Sequence, residues 1–334
     1  MILISLEKIS KIYRQPIKEK GVAGAMKHLF SPKYVDKIAV NNISLSIREG
    51  ESVAFLGSNG AGKSTVIKMM TGVLVPTGGD ILINKLIPHL NRIQYTKSIG
   101  AVFGQRTQMW WDIPILESFR MLKEIYEIPD LIYADNMSTF EDILELGEFI
   151  HLSARSLSLG QRMRADLAAA FLHNPKIVFL DEPTIGLDIE VKQRVRYFIK
   201  KLNQEKETTV ILTTHDLDDI DDICKRLLVI DRGNIIHDGE LQQAKDTFAR
   251  KRVIHIKLKD SVDINVISKE LSHFDPGCID ERQISLTFDR FEHTAGSIVN
   301  MVMNFSAVVD FSIEEPGINQ VVRNINDRSQ EKII

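Results

Sequence analysis

The chain opens on an alternation of apolar and polar positions, with Ile2, Ile4 and Leu6 on one side, which predicts a half-buried strand over residues 2 to 9. From 15 to 38 the pattern breaks into a mixed segment, EKGVAGAMKHLFSPKY, that predicts a loop carrying a short helix. Ala39 to Ile47 resumes the strand pattern, and Glu49-Gly50-Glu51 marks a turn. Ser52 to Leu56 is an apolar strand that runs into a glycine-rich stretch, and a helix is expected from Lys63 to Met70. Asp80 to Ile83 and Gly100 to Phe103 are further strands. Residues 110 to 170 carry Leu, Ile and Met at spacings of three and four, as amphipathic helices do. Ile177 to Leu180 and Thr209 to Thr213 are unbroken apolar runs of the kind buried on both faces of a parallel sheet, with a helix expected between them from Glu190 to Asn203. Leu227 to Ile230 and Asn234 to His237 predict a hairpin around Asp231-Arg232-Gly233.

The texture changes after about residue 248. Val253 to Leu258, Gln283 to Phe288 and Val308 to Ile313 read as strands, and 262 to 273, 291 to 304 and 317 to 326 as helices. The expectation is therefore two domains, 1–248 and a smaller α+β domain over 249–334, with a frayed polar end.

Composition narrows the classes. The 334 residues carry 42 Lys and Arg against 45 Asp and Glu, a net charge of −3, with 44% apolar and 26% charged positions. That is a globular balance and excludes a disordered, collagen-like or coiled-coil chain. It also removes the electrostatic case for wholesale binding of nucleic acid, so no nucleic-acid partner is expected. The two cysteines, Cys224 and Cys278, stand far apart without a Cys/His cluster, so neither a disulfide framework nor a structural zinc site is expected. The first apolar run is broken by Glu7 and Lys8, which is no signal peptide, and no stretch nears the ~18 apolar residues of a spanning helix. The chain reads as soluble, with any membrane work shared with a partner.

Two motifs carry chemistry. Gly57-Ser58-Asn59-Gly60-Ala61-Gly62-Lys63-Ser64-Thr65 has the G-x-x-x-x-G-K-[ST] form and lies between a strand and a helix, where a phosphate-binding loop must sit. Its glycines let backbone N–H groups turn toward phosphate oxygens, and the helix offers its positive end to the anion. Lys63 would reach the phosphates and Ser64 would hold Mg²⁺. The second motif is Asp181-Glu182 at the end of an apolar strand, facing the ligand crevice of an α/β sheet. Asp181 would hold the Mg²⁺ shell and Glu182 would polarise the attacking water.

Other motifs fall into order around these two. Ser156-Leu157-Ser158-Leu159-Gly160-Gln161-Arg162 precedes the acidic strand, Gly186-Leu187-Asp188 follows it, and His215 follows the next strand. Gln105 ends the strand Gly100 to Phe103. This series, over residues 1 to about 245, resembles the ATP-binding subunit of an ABC transporter. The stretch Phe103 to Trp111, with the insert before residue 39, resembles a bacterial exporter-type branch.

The resemblance implies an α/β P-loop NTPase fold with a mixed sheet and a helical subdomain over about 108–172, and ATP with Mg²⁺ as ligands. It implies that Tyr13 stacks on adenine, that Gln105 joins the Mg²⁺ or water shell, and that His215 contacts the γ-phosphate. It implies that Ser158, Gly160 and Gln161 meet the γ-phosphate held by a second subunit, and that Asp188 crosses the interface. The signature departs from the common LSGGQ in Leu159.

Two chains head to tail would thus bury two nucleotides, most simply as a homodimer, and hydrolysis would loosen them. The chain would sit in the cytoplasm, held at the membrane by a permease subunit that docks near the Gln105 loop, where Met109, Trp110, Trp111, Ile113 and Pro114 cluster. The rival is a soluble ABC ATPase of translation or DNA repair. One phosphate loop and a short interval between Lys63 and Asp181 argue against it. A GTPase would want N-K-x-D, and Asn84-Lys85-Leu86-Ile87 lacks the Asp. For the C-terminal domain, support of the dimer is the expected role.

Overall fold

A computed structural model describes residues 1–16, 34–104, 107–214, 216–248, 250–261, 269–280 and 282–314. Gln105, His215, the body of the insert and the helix expected over 317–326 lie outside the described residues, as does 262–268 of the helix expected over 262–273. The chain forms two compact units, Met1–Gly239 and Glu240–Ile334. The division falls ahead of residue 248, so the helix Leu241–Phe248 groups with the second unit.

In the first unit a six-stranded sheet forms the centre. Its strands are β3 (Ser52–Leu56), β5 (Ile99–Phe103), β6 (Ile177–Asp181), β7 (Thr209–Thr213), β8 (Arg226–Asp231) and β9 (Asn234–Glu240), in the order β5-β6-β7-β3-β8-β9. The contacts from β5 through to β8 are all parallel. Every residue of β3 and β7 is buried, which is why both read as unbroken apolar runs. The turn from β8 to β9 places Arg232 and Gly233 at φ 45° and 78°, the paired positive φ values of a type I′ hairpin.

A second sheet, antiparallel, takes β1 (Ile2–Pro16), β2 (Tyr34–Arg48) and β4 (Gly78–Ile83) in the order β2-β1-β4. Here the structure corrects an expectation: the strand pattern lost at 15 in fact continues. β1 and β2 stay paired to their ends, with Ile12 opposite Ile38, Tyr13 opposite Lys37 and Gln15 opposite Val35. Backbone pairing in a ribbon outweighs a broken side-chain alternation, and Pro16, lacking an N–H, is tolerated because β1 beyond Ser10 pairs with β2 on one side only.

Between the sheets a core of buried residues includes Ile4, Ile9, Ile47, Phe55, Ile67, Phe179, Ile211 and Leu228. Helix α1 (Lys63–Met70) packs Val66, Ile67, Met69 and Met70 into it. Tyr95, fully buried on α2 (Arg92–Thr96), donates to the Met70 carbonyl at 2.6 Å, satisfying its hydroxyl.

The helical run is segmented: α3 (Ile115–Ile125), α4 (Asp130–Leu144), two 3₁₀ turns at Leu146–Glu148 and Ala154–Ser156, then α5 (Leu159–Phe171). Pro114 and Pro129 stand just before α3 and α4, where a missing N–H costs nothing. Helix α6 (Ile189–Lys206) inserts Phe198, whose ring meets Phe140 and Phe171 edge-on at 5.3 and 5.2 Å. Helix α7 (Leu217–Ile223) follows β7.

The second unit begins with α8 (Leu241–Phe248) and builds an antiparallel sheet from β10 (Lys251–Leu258), β11 (Gly277–Asp280), β12 (Gln283–Asp289) and β13 (Val308–Glu314). The order β11-β12-β10-β13 is that of a split β-α-β sheet. Helix α9 (Ala295–Met303) is held by a capping box between Thr294 and Ser297, shorter than the expected 291 to 304. Ile254, Ile256, Leu286, Phe288, Ile298 and Val302 fill the core. β11 was not expected: four residues beginning with Gly277 carry too little pattern to announce a strand.

Candidate functional site

β3 delivers the chain into the phosphate loop under tight backbone constraint. A Cβ at Gly57 would lie 2.1 Å from the Ile230 carbonyl oxygen, and one at Gly62 would lie 2.5 Å from that of Ala39. Gly62 also sits at φ 113°, so glycine is required twice over. Gly62 precedes α1 with no side-chain cap, and no acidic residue occupies the first turn. The helix end is therefore electropositive and its amides face the loop.

The Lys63 ammonium donates to the carbonyls of Gly57 at 2.6 Å and Ser58 at 3.1 Å. Burial pushes its pKa down, while the charges of Glu182 and Asp181 push it back up. It is thus a buried cation bonded to two loop carbonyls and favoured by the charges of two carboxylates.

Asp181 closes β6. Its carboxylate accepts from the Thr213 hydroxyl, and its carbonyl accepts from the Gly104 amide at 2.9 Å. The next residue, Glu182, turns out of the sheet at φ 57°, and its amide donates to the Thr213 carbonyl at 2.9 Å. A non-glycine residue in that region costs about 1 kcal/mol and aims its side chain away from the strand direction.

One cavity of about 500 Å³ collects these groups, with Asn59, Lys63, Ser64, Asp181, Glu182 and Tyr13 in its lining. Tyr13 comes from the ribbon, far from the loop in sequence, and the Lys11 ammonium stands 5.6 Å from its ring centre. Sequence reasoning missed Gln15 and Lys37, which line the same cavity. Their signal lay in the register that sets Lys37 opposite Tyr13, and the unrecognised ribbon hid it.

Ser158, Gly160 and Gln161 do not line this cavity. Ser158 caps α5: its hydroxyl accepts from the Gln161 amide at 3.2 Å, and its own amide donates to the Gln161 side chain at 3.0 Å. Leu159 is 41% exposed, so the side chain that departs from the usual glycine points outward beside Gly186. Asp188 is the N-cap of α6, its carboxylate accepting from the Val191 amide at 2.9 Å.

The tryptophan cluster divides. Met109 is buried, whereas Trp110 and Trp111 are 37% and 49% exposed. The Arg162 guanidinium lies 4.9 Å from the Trp111 ring centre. A second cavity, about 310 Å³ and lined by Val73, Phe103, Gln108, Tyr126 and Asp166 among others, opens beside β5. In its wall burial lifts the Asp166 carboxyl to about 6, against hydrogen bonds from the Gln108 amide and the Thr107 hydroxyl at 2.9 Å each. Behind Tyr126 the His173 ring stacks at 4.1 Å, and burial pushes it down to about 4.

A parallel sheet, a phosphate loop opening a helix and an acidic strand end beside it define a P-loop nucleotide-binding domain. Residues 40–185 match the family described as ABC transporter. The chain is 28% identical to an ABC transporter A family member of Dictyostelium discoideum over 313 residues, 93% of this chain and 35% of that protein. It is 32% identical to an ABC transporter ATP-binding protein of Bacillus subtilis over 207 residues, 62% of this chain and 66% of that one. Among solved structures, a dimeric ATP-binding cassette in a post-hydrolysis state bound to ADP and Pi superposes with TM-score 0.59 at 26% identity, covering 71% of this chain and 98% of that one. The chain spans only about a third of the Dictyostelium relative and 10% of a mouse glucosylceramide transporter that it also matches. The first unit is an ABC nucleotide-binding domain, and the chain belongs with the ABC-type ATPases.

Proposed function

We propose that this chain binds ATP with Mg²⁺ in the 500 Å³ cavity, hydrolyses it between two copies arranged head to tail, and so drives a membrane permease. The observation that carries the reading is the convergence of the Lys63 ammonium, the Ser64 hydroxyl, Asp181 and Glu182 on one cavity at a helix N-terminus. Tyr13 offers a flat face for the base, and the loop amides from Gly57 to Thr65 take the phosphates. Ser64 and Asp181 are hard oxygen donors of the kind Mg²⁺ prefers and would hold that ion beside the phosphates. When bound it neutralises phosphate charge. Lys63 adds positive charge on the phosphates, and Glu182 orients and polarises the water.

Ser158 and Gly160 lie outside the cavity, which supports a second subunit as the one that supplies the signature to each nucleotide. Gln105 and His215 keep their proposed roles at the Mg²⁺ shell and the γ-phosphate from their places in the motif series. Among the described residues no helix is long and apolar enough to cross a membrane, and a permease that carries the transport path is part of the proposal. The groove beside β5, with Trp110 and Trp111 exposed nearby, is the proposed seat for a permease helix, holding the chain at the inner face of the membrane. Export, the direction of the branch that Phe103 to Trp111 resembles, is part of the proposal.

The test is Glu182→Gln in the purified chain. Turnover should fall by about 10²-fold or more while ATP binding persists. ATP should then accumulate a dimer on size exclusion, since the step that releases it is slowed. Undiminished turnover would refute the assignment of Glu182.

A further inference from the structure

Asp219 is fully buried on α7, outside the cavity that holds Lys63 and Glu182. One of its oxygens accepts from the hydroxyls of Thr184 and of Thr214, the latter at 2.8 Å. The other accepts from the Arg196 Nε at 2.6 Å. Thr184 and Thr214 are each 2% exposed. A buried carboxylate is costly unless paired and hydrogen-bonded, and here the pairing is complete across four elements. Thr184 stands two residues after Glu182, Thr214 immediately after β7, and Arg196 on α6.

Its neighbours extend the same joint. The Thr214 hydroxyl also accepts from the Asp216 amide at 2.9 Å, and Asp216 accepts from Lys192 at 2.6 Å and Arg196 at 3.1 Å. One residue back, at the end of β7, Thr213 bonds both Asp181 and the Glu182 amide. The turn that carries Glu182 is therefore tied to the end of β7 at each side, and Glu182 sits in that turn at φ 57°. A residue held in a sparsely populated conformation needs its flanks fixed.

Resting on the assignment of Glu182 given above, we infer that Asp219, countered by Arg196, is a positioning residue for hydrolysis. It clamps Thr184 to Thr214 and so holds Glu182 at its working angle. Asp219 is fully buried and does not line the cavity, so its contribution falls on turnover and not on ATP affinity.

The experiment measures steady-state ATPase, ATP binding and thermal unfolding of the full chain for Asp219→Asn, Thr184→Val, Thr184→Ser and Glu182→Gln. Valine copies the shape of threonine without its hydroxyl, and serine keeps the hydroxyl. Asp219→Asn and Thr184→Val should each lower kcat by about tenfold, with KM moved less than about threefold. Thr184→Ser should restore most of the rate, and Thr184→Val should add little in the Asp219→Asn background, since both break one joint. Equal rates for the serine and valine variants, or losses that track KM or Tm alone, would overturn the positioning role. Turnover retained in Glu182→Gln would instead remove the assignment on which it rests. Turnover lost in Glu182→Gln but intact in Asp219→Asn and Thr184→Val would refute the clamp alone.

Discussion

His173→Phe tests whether burial, and not a local hydrogen bond, governs the wall behind the groove. The imidazole stacks on Tyr126 with planes 10° apart, and its Nε2 lies 3.0 Å from the Ile99 carbonyl. Desolvation disfavours the cation more than that carbonyl favours it, so the pKa falls to about 4. The unfolded chain, titrating near 6.5, binds the proton first, so stability present above that pH is lost as pH falls from about 6.5 toward 4. Between about pH 7.5 and about pH 5 the imidazole alone removes about 2 kcal/mol. Phenylalanine keeps the stacking but leaves the Ile99 carbonyl without its donor, which costs about 1–3 kcal/mol at neutral pH. The assay is urea unfolding at both pH values by tryptophan fluorescence, since Trp110 and Trp111 both belong to the first unit. The wild type should lose about 2 kcal/mol more than the variant over that interval, the other titrating groups cancelling in the difference. Equal losses would refute the reasoning, because the ring would then carry its proton in the folded protein.

Asp166 works in the opposite direction: its folded pKa of about 6 lies above the ordinary carboxylate value, so its stability is full below about pH 4 and is lost as pH rises through 6. Asp166→Asn should therefore flatten the fall in stability between about pH 5 and about pH 7.5 by about 1–2 kcal/mol, as read by urea unfolding. Replacing Trp110 and Trp111 together by alanine removes two half-buried rings and should lower stability by about 2–5 kcal/mol, with basal ATPase of the folded fraction kept. Transport coupled to a permease should be lost in that variant, and a chain that fails to fold would instead make the tryptophans part of the core.

The buried strands were legible because burial on both faces writes an unbroken apolar run, as in Thr209 to Thr213, whose five residues are all buried. The phosphate loop was legible because its glycines answer local demands: Gly57 and Gly62 have backbone within 2.5 Å of where a Cβ would stand. The ribbon beyond Ser10 was not, since two strands that mostly pair with each other need no apolar alternation. By its contacts the helix from Leu241 to Phe248 groups with the second unit, which its own pattern does not announce because it looks alike whichever unit it joins.

Sequence by itself determined the chemistry available to the protein: an ammonium, a hydroxyl and two carboxylates, each tied to a strand end or a helix start. Tertiary structure alone decided that Tyr13, Gln15 and Lys37 share a cavity with Lys63, and that Asp219 joins Thr184 to Thr214. The physical reason is separation along the chain. A motif records what neighbours in sequence must do for one another, whereas a contact between distant strands is set by register and burial, which no single segment carries.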